Sequence, residues 1–334
     1  MSLFIPKDYR DPLTIQETQV AIKLAKDTFE RKLAKNLNLT RVTAPLFVYP
    51  ESGLNDNLSG VERPVSFDIK ATGRTAEIVQ SLAKWKRFAL VKYGFSPGEG
   101  LYTDMNAIRR DEALDNLHSI YVDQWDWEIV ITPDQRNLEY LQSLVRKIAL
   151  TLKETKAVLS AEFPVLHAPV SEDVYFISAE ELRIRYPHLS PKEREDAICR
   201  EHGTVFISGI GHRLGDGKPH DLRAPDYDDW SLNGDILLWY PPLNQAVELT
   251  SMGIRVDSHA LRRQCALAGT EERLEMPYHC DVLYGRLPLT AGGGIGQSRV
   301  CLVLLEKVHI GEVQASLWPE EHLQILREKN INIL

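Results

Sequence analysis

Apolar residues in the first part of the chain fall three or four apart, at Ile22, Ala25, Phe29 and Leu33, and Thr14 with Glu17 makes a capping box ahead of them. This spacing predicts a helix running to about Lys35. A strand through Val42–Val48 follows, interrupted by Pro45, a residue suited to an edge or an interface rather than a central ladder position. Val65, Phe67 and Ile69 alternate as a second strand, and Ser81–Lys92 reads as a helix carrying Lys84, Lys86 and Arg87. From His118 to Ile131 the period is two: Trp125 and Trp127 share one face, while Gln124, Asp126 and Glu128 share the other. Thr132, Pro133 and Gln135 then signal a helix start, and Leu138, Leu141, Val145, Ile148, Leu152 and Leu159 form one apolar stripe. A strand at Val174–Ile177 precedes a helix capped by Ser190, Pro191 and Glu193 and stopped by Gly203. Beyond the loop His212–Trp230, strands Asp235–Tyr240 and Gln245–Ser251 flank a Pro-Pro-Leu-Asn turn. Runs of strands joined by tight turns, with helices set apart, imply an α+β fold: an antiparallel sheet flanked by helices, not a doubly wound one.

No repeat or Pro/Gly/Ser-rich linker divides the chain, so residues 1–334 are expected to form a single catalytic domain, with a helix-rich segment at about 133–203 packed on the sheet. A net charge of −8 removes any general attraction to a polyphosphate, which argues against nucleic acid as a partner and for small-molecule chemistry. Cys199, Cys265, Cys280 and Cys301 lie far apart and form no C-x-x-C pair, the pattern of reduced thiols in a cytoplasmic protein. No apolar run approaches the roughly 20 residues of a membrane span, so no membrane association is expected.

Four groups of residues carry candidate chemistry. Gly292-Gly293-Gly294-Ile295-Gly296 ahead of a helix at Gln297–Lys307 is either a plain turn or a segment whose backbone approaches a nucleotide, with Arg299 in the first helical turn. It lacks the ending of a P-loop and the spacing of a dinucleotide fingerprint. Arg109-Arg110-Asp111-Glu112 is either a solvated turn or the source of a guanidinium fork for phosphate. Asp221, Asp226, Asp228 and Asp229, with Asp235 and Glu248 on the paired strands nearby, are either an acidic surface or a divalent-cation site. The polar row Gln124, Asp126 and Glu128 opposite two tryptophans reads as a site, because a sheet face away from solvent would otherwise be apolar.

Taken together, Pro45 after a long helix, Arg109–Glu112 and Gly292–Arg299 resemble the three signatures of class II aminoacyl-tRNA synthetases. Beyond that, Asp56-Asn57-Leu58-Ser59-Gly60, Ser81–Arg87, Tyr121–Glu128, Ala224–Trp230, Ser251–Arg255 and Gly292–Arg299 resemble the ammonia-dependent asparagine synthetases. The resemblance implies a class II synthetase-like sheet, a homodimer built on the first helix and the Pro45 strand, and synthesis of L-asparagine from L-aspartate, ammonia and ATP through a β-aspartyl-AMP intermediate. It assigns Arg109 to the α-phosphate, Gln124 to the same centre, and Asp56 to arriving ammonium. Ser81 and Lys86 would hold the substrate α-carboxylate, and Asp126 and Asp226 its α-ammonium. Asp235, Glu248, Ser251, Arg255, Gly292, Gly293, Gly294 and Arg299 would bind ATP, with Mg²⁺ on Asp235 and Glu248. Thr250 departs from the family pattern, where a serine is expected; the hydroxyl is kept. A tRNA synthetase would need an anticodon-binding barrel and a basic face, and a glutamine-dependent synthetase a cysteine nucleophile where this chain has Ser2; neither pattern is seen. A retired paralogue acting as an amino-acid sensor would have lost a nucleotide arginine, whereas Arg109 and Arg299 are both present. The glycines and proline of Gly94–Thr103 suggest a lid next to Arg109.

Overall fold

The computed structural model describes residues 3–56, 58 and 62–334. The amino-terminal part holds α1 (Ile15–Leu37), β1 (Leu39–Arg41), β2 (Phe47–Val48), β3 (Ser66–Ile69), β4 (Arg74–Ile78), α2 (Ala83–Tyr93), β5 (Gly100–Ile108) and β6 (Tyr121–Val130). The middle holds α3 (Leu138–Glu162), β7 (Val174–Ser178), α4 (Ala179–Arg185), α5 (Pro191–His202), β8 (Thr204–Ser208), β9 (Asp228–Tyr240) and β10 (Gln245–Arg255). After these come α6 (Ser258–Ala268), α7 (Pro277–Leu283), β11 (Thr290–Gly296), α8 (Gln297–Leu304) and α9 (Glu320–Glu328).

Among the described residues, one sheet runs in the order β1-β5-β6-β11-β10-β9-β8-β7, and β2-β4-β3 form a small second sheet. The large sheet is antiparallel from β5 to β8, but β1 pairs parallel with β5 and β7 parallel with β8. The expected antiparallel sheet is therefore corrected to a mixed one at both edges. The cause is connectivity: β7 reaches β8 through α4 and α5, and β1 reaches β5 through the small sheet and α2, and such crossovers return the chain in the same direction.

Local signals act as read at α1, where Thr14 and Glu17 close the capping box, and at α5, which starts on Ser190 and stops at Gly203. Three expectations need correction. The Val42–Val48 strand is not formed as one piece: β1 ends at Arg41, the chain around Pro45 is unpaired, and only Phe47–Val48 pair again, now in the small sheet. The glycines at 292–296 form the inner strand β11 rather than a loop. Gly100–Thr103 belong to β5 and are buried, and the turn at 94–99 lies at the opposite end of that strand from Arg109, roughly 30 Å away at the rise of an extended chain. That segment cannot close over the site.

The two faces of β6 divide the molecule as their alternation predicts. Trp125 and Trp127 are wholly buried in the main core with residues of α1, α3 and α8, and the Phe29 ring of α1 stacks on Trp125 at 4.5 Å between centroids. Phe29→Ala should therefore cost about 3–5 kcal/mol of unfolding free energy, with the smaller Phe29→Leu change retaining most of it. Denaturant unfolding of the two variants measures this, and a loss below 1 kcal/mol in the alanine variant would show that α1 is not fastened to the sheet through this ring.

Candidate active site

The polar face of β6 floors a cavity of about 430 Å³ whose wall includes Arg109, His118, Gln124, Glu248, Ser251, Gly294 and Arg299. A smaller recess of about 90 Å³ adjoins it, walled by Asp56, Ser81, Lys86, Asp126, Asp228, Arg255 and Gly293 among others. The two spaces share Leu58, Arg109, Gln124, Tyr227, Ser251 and Gly294, so one junction connects them. Strand register explains the room. Asp126 lies opposite Gly294, which lies opposite Ser251, which lies opposite Asp235. Small residues in this row leave space above the sheet. A β-carbon on Gly294 would sit 2.5 Å from Gln124 Oε1, and one on Gly292 would meet Glu128 and lie 2.7 Å from Arg255 Nη2. Gly292 thus serves the packing of these side chains and does not line either space.

Charges in the recess are tightly matched. Arg255 Nε donates to Glu128 Oε1 at 3.0 Å, its Nη2 donates to Glu128 Oε2 at 2.7 Å, and its Nη1 pairs with Asp228. Lys86 pairs with Asp126 and donates to the Gly293 carbonyl at 2.9 Å. Burial, assisted by the positive charge of Arg255, lowers the Lys86 pKa against the pull of Asp126. Ser81 Oγ accepts from the Ala83 N–H at 3.1 Å, which places this hydroxyl at the amino terminus of α2.

Asp56 is the least compensated acid on the recess wall. Its Oδ1 accepts from the Leu58 N–H at 3.0 Å, while its Oδ2 is buried without a hydrogen-bond partner. Burial raises its pKa to about 6 despite the nearby Lys84 charge. Asn57, Ser59 and Gly60, which carried part of the resemblance, lie outside the described residues.

In the larger space, Arg109 follows β5 and its N–H donates to the Ile120 carbonyl at 2.8 Å, closing the loop between β5 and β6. Its Nε is buried without a partner. Arg299 donates to the Glu248 carbonyl at 3.0 Å. A bulge between Glu248 and Thr250 breaks the alternation of β10, and both Glu248 and Ser251 reach the wall. Burial opposes ionisation of Glu248, but Arg299, Arg223, His118 and Arg109 keep its pKa below the ordinary value. Asp235 lies on neighbouring β9, off the cavity wall; its Oδ2 pairs with Arg223, and its Oδ1 is buried without a partner. Burial and the Glu248 carboxylate push the Asp235 pKa up against Arg223. Two carboxylates of this kind, with one oxygen unsatisfied, fit a divalent cation that fills the rest of its shell with phosphate and water.

Asp226 is not brought to either space. It is fully buried and held by Lys84 at 3.0 Å, His279 at 2.9 Å and Arg273 at 3.3 Å. Burial resists its ionisation, yet these partners hold its pKa far below the carboxylate range. The acid that does reach the recess is Asp228, opposite Arg255 in the β9–β10 register. Sequence reasoning placed it only within an acidic cluster. Arg223 and His118 were likewise not assigned, and Tyr227 lay within the Ala224–Trp230 string without a role.

Comparison with known proteins agrees with this geometry. A family profile described as aspartate-ammonia ligase matches residues 16–330. The aspartate–ammonia ligase of Clostridium perfringens (strain SM101) is 59% identical over 333 residues, covering 99% of each chain, and that of Lactobacillus johnsonii is 54% identical over 336 residues, covering all of both. Among solved structures, asparaginyl-tRNA synthetase from Pyrococcus horikoshii, complexed with asparaginyl-adenylate, matches with a TM-score of 0.66 at 16% identity, over 91% of this chain and 70% of that one. The Entamoeba histolytica asparaginyl-tRNA synthetase, also with asparaginyl-adenylate, matches with a TM-score of 0.66 at 14% identity, over 93% and 71%. At those identities the synthetases show the shared fold, a class II catalytic core. Full-length identity above one half and a profile spanning nearly the whole sequence establish that this chain belongs to the aspartate–ammonia ligase family.

Proposed function

We propose that the chain, an aspartate–ammonia ligase that uses ATP to make asparagine, works by joining the aspartate β-carboxylate to AMP at the junction of the two spaces and then admitting ammonia from the Asp56 side. The single observation that carries this reading is the shared wall: Arg109 and Gln124 border both the nucleotide-sized space and the amino-acid-sized recess. A β-carboxylate oxygen attacks the α-phosphorus, pyrophosphate leaves, and the mixed anhydride supplies a leaving group that the free carboxylate lacks. Arg109 stabilises charge on the α-phosphoryl oxygens, and Gln124 orients the reacting carboxylate. Arg299 on the wall supports a phosphate site, and Ser251 and Gly294 contribute polar edge and open floor.

For the amino acid, Ser81 at the α2 terminus and Lys86 favour the α-carboxylate, because a helix amino terminus and an ammonium both attract an anion. Asp126, with Oδ2 buried and unpartnered, and Asp228 favour the α-ammonium. Asp226 acts at one remove, by holding Lys84 in place. Asp56 attracts ammonium and accepts one of its protons; the neutral ammonia attacks the β-carbonyl carbon, the C–O bond to AMP breaks with its electron pair going to the phosphate, and the second proton lost by the nitrogen leaves with that phosphate or to solvent. Mg²⁺ on Asp235 and Glu248 would neutralise charge on the leaving pyrophosphate.

The continuous sheet supports reading the chain as one catalytic domain. Exposed Ile15 and Val20 on α1, with Leu46 and Phe47 near Pro45, support a homodimer through that surface. Among the described residues no helix is long and apolar enough to cross a membrane, and a biosynthetic ligase fed by ATP belongs in the cytoplasm.

Purified protein given aspartate, ATP, Mg²⁺ and ammonium chloride should yield asparagine, AMP and pyrophosphate; ADP and phosphate in their place would replace the adenylate with an acyl phosphate. Arg109→Ala should lower aspartate-dependent ATP–pyrophosphate exchange by at least about 10²-fold. Asp56→Asn should leave that exchange largely intact while amidation falls by about 10²–10⁴-fold. Because the carboxylate is the working form of Asp56, native amidation should decline as pH falls through about 6. The exchange reaction should lack that limb, and residual amidation in the Asn variant should follow the free-ammonia fraction, declining steadily with pH without an inflection near 6. The sign for stability is the reverse of the usual acid case: a raised folded-state pKa makes ionised Asp56 a burden above pH 6, so Asp56→Asn should unfold no more easily than the native chain at pH 8. Equal loss of exchange and amidation in that variant would remove Asp56 from the ammonia step.

A further inference from the structure

One side of the larger space contains a side chain that none of the steps above uses. Gln314, which follows a short helical turn at Ile310–Glu312, lines the cavity together with Tyr121, Asp123 and Ser298 and is only 5% exposed. Its amide is fixed. Nε2 donates to Ser298 Oγ at 2.9 Å and to Asp123 Oδ1 at 3.3 Å. Ser298 spends its hydroxyl proton on Asp123 Oδ1 at 2.6 Å, and the Ser298 N–H donates to the same oxygen at 3.0 Å. Lys26 of α1 holds the other oxygen, Oδ2, at 2.9 Å. Both neighbours of the amide nitrogen are therefore acceptors, and a flipped amide would set its oxygen against a carboxylate. That leaves Gln314 Oε1, buried and with no hydrogen-bond partner, as an unsatisfied acceptor. A buried acceptor without a donor is costly unless a ligand supplies one.

Position indicates which ligand group that is. Arg109, Arg223 and Arg299 crowd Glu248, where phosphates belong, whereas the loop bearing Leu117 and Tyr121, tied to the Gln314 segment by Ser119–Ser316 and Asn116–Ile310 hydrogen bonds, offers apolar and aromatic surface suited to the faces of a purine. We infer that Gln314 is the residue that selects the nucleotide base, its Oε1 accepting a hydrogen bond from the exocyclic 6-amino group of adenine, with Asp123 and Ser298 as positioning residues that lock the amide against flipping. A 6-oxo purine would bring a carbonyl oxygen against Oε1 with no proton between them. This assignment rests on the reading of the larger space as the ATP site.

The test compares ATP with inosine triphosphate in native protein, Gln314→Met and Asp123→Asn. Native kcat/KM for amidation should favour ATP by about 10² or more. In Gln314→Met the preference should shrink to about tenfold or less, through a rise in KM for ATP while KM for aspartate stays put. Asp123→Asn frees the amide to turn and should relax the preference in the same direction. Each ratio is internal to one protein sample, so partial unfolding does not mimic the result. Calorimetric binding of AMP against IMP to the same three proteins reads base choice without turnover. If native protein binds AMP over IMP and Gln314→Met loses that choice, the assignment stands even should the adenylation chemistry fail its own assay. A Gln314→Met protein that keeps the full native preference for both the triphosphates and the monophosphates overturns it.

Discussion

The floor of the active site depends on one buried cation. Arg255 enters from β10, holds Glu128 of β6 through two nitrogens and reaches Asp228 of β9 with a third, so three strands on both sides of β11 are tied at one point. All three side chains are at least 97% buried. In that setting, removing one partner strands the others without solvent and costs roughly 3–5 kcal/mol, so the cluster holds only as a set. It also explains the glycine at 292: the Glu128–Arg255 pair lies where a β-carbon would be. Local preference for a turn is overruled at β11 because its neighbours need the volume above it.

The same sheet does two jobs because a strand exposes opposite faces in turn. One face of β6 anchors the core through Trp125 and Trp127, and the other presents Gln124 and Asp126 to the cavity. The rigid side supplies what the polar side lacks. Few contacts hold an open polar cavity in shape, but α1, α3 and α8 press the tryptophan face flat. Asp123 carries that rigidity into the site, since it receives Lys26 from α1 and the first turn of α8, which bears Arg299.

Charge placement separates the two spaces. Arg109, Arg223 and Arg299 crowd Glu248 on the wall of the larger space, and the recess alternates cation and anion. Asp56 stands apart: one of its oxygens is buried without a hydrogen-bond partner, which makes it costly in the empty protein and receptive to a small cation. Strain of this kind is stored at the chemistry and offset by the well-packed remainder of the sheet.

Much of this was legible in local order. The capping box at Thr14, the stripe along α3 and the two faces of β6 follow from helical and extended geometry, which covalent structure imposes on any stretch that adopts it. The family strings located Asp56, Lys86 and Gln124, and the class II-like signature located Arg109; the folded chain brings all four to the wall of one recess. Distinguishing Asp226 from Asp228 was beyond the sequence, because two acids two residues apart differ only in what long-range pairing gives them: Lys84 and His279 for one, Arg255 for the other. The parallel edges of the sheet, the strand made of glycines and the fixed amide of Gln314 were equally hidden. Each depends on segments far apart in the chain meeting in space, and burial rather than local preference decides which groups must find partners there.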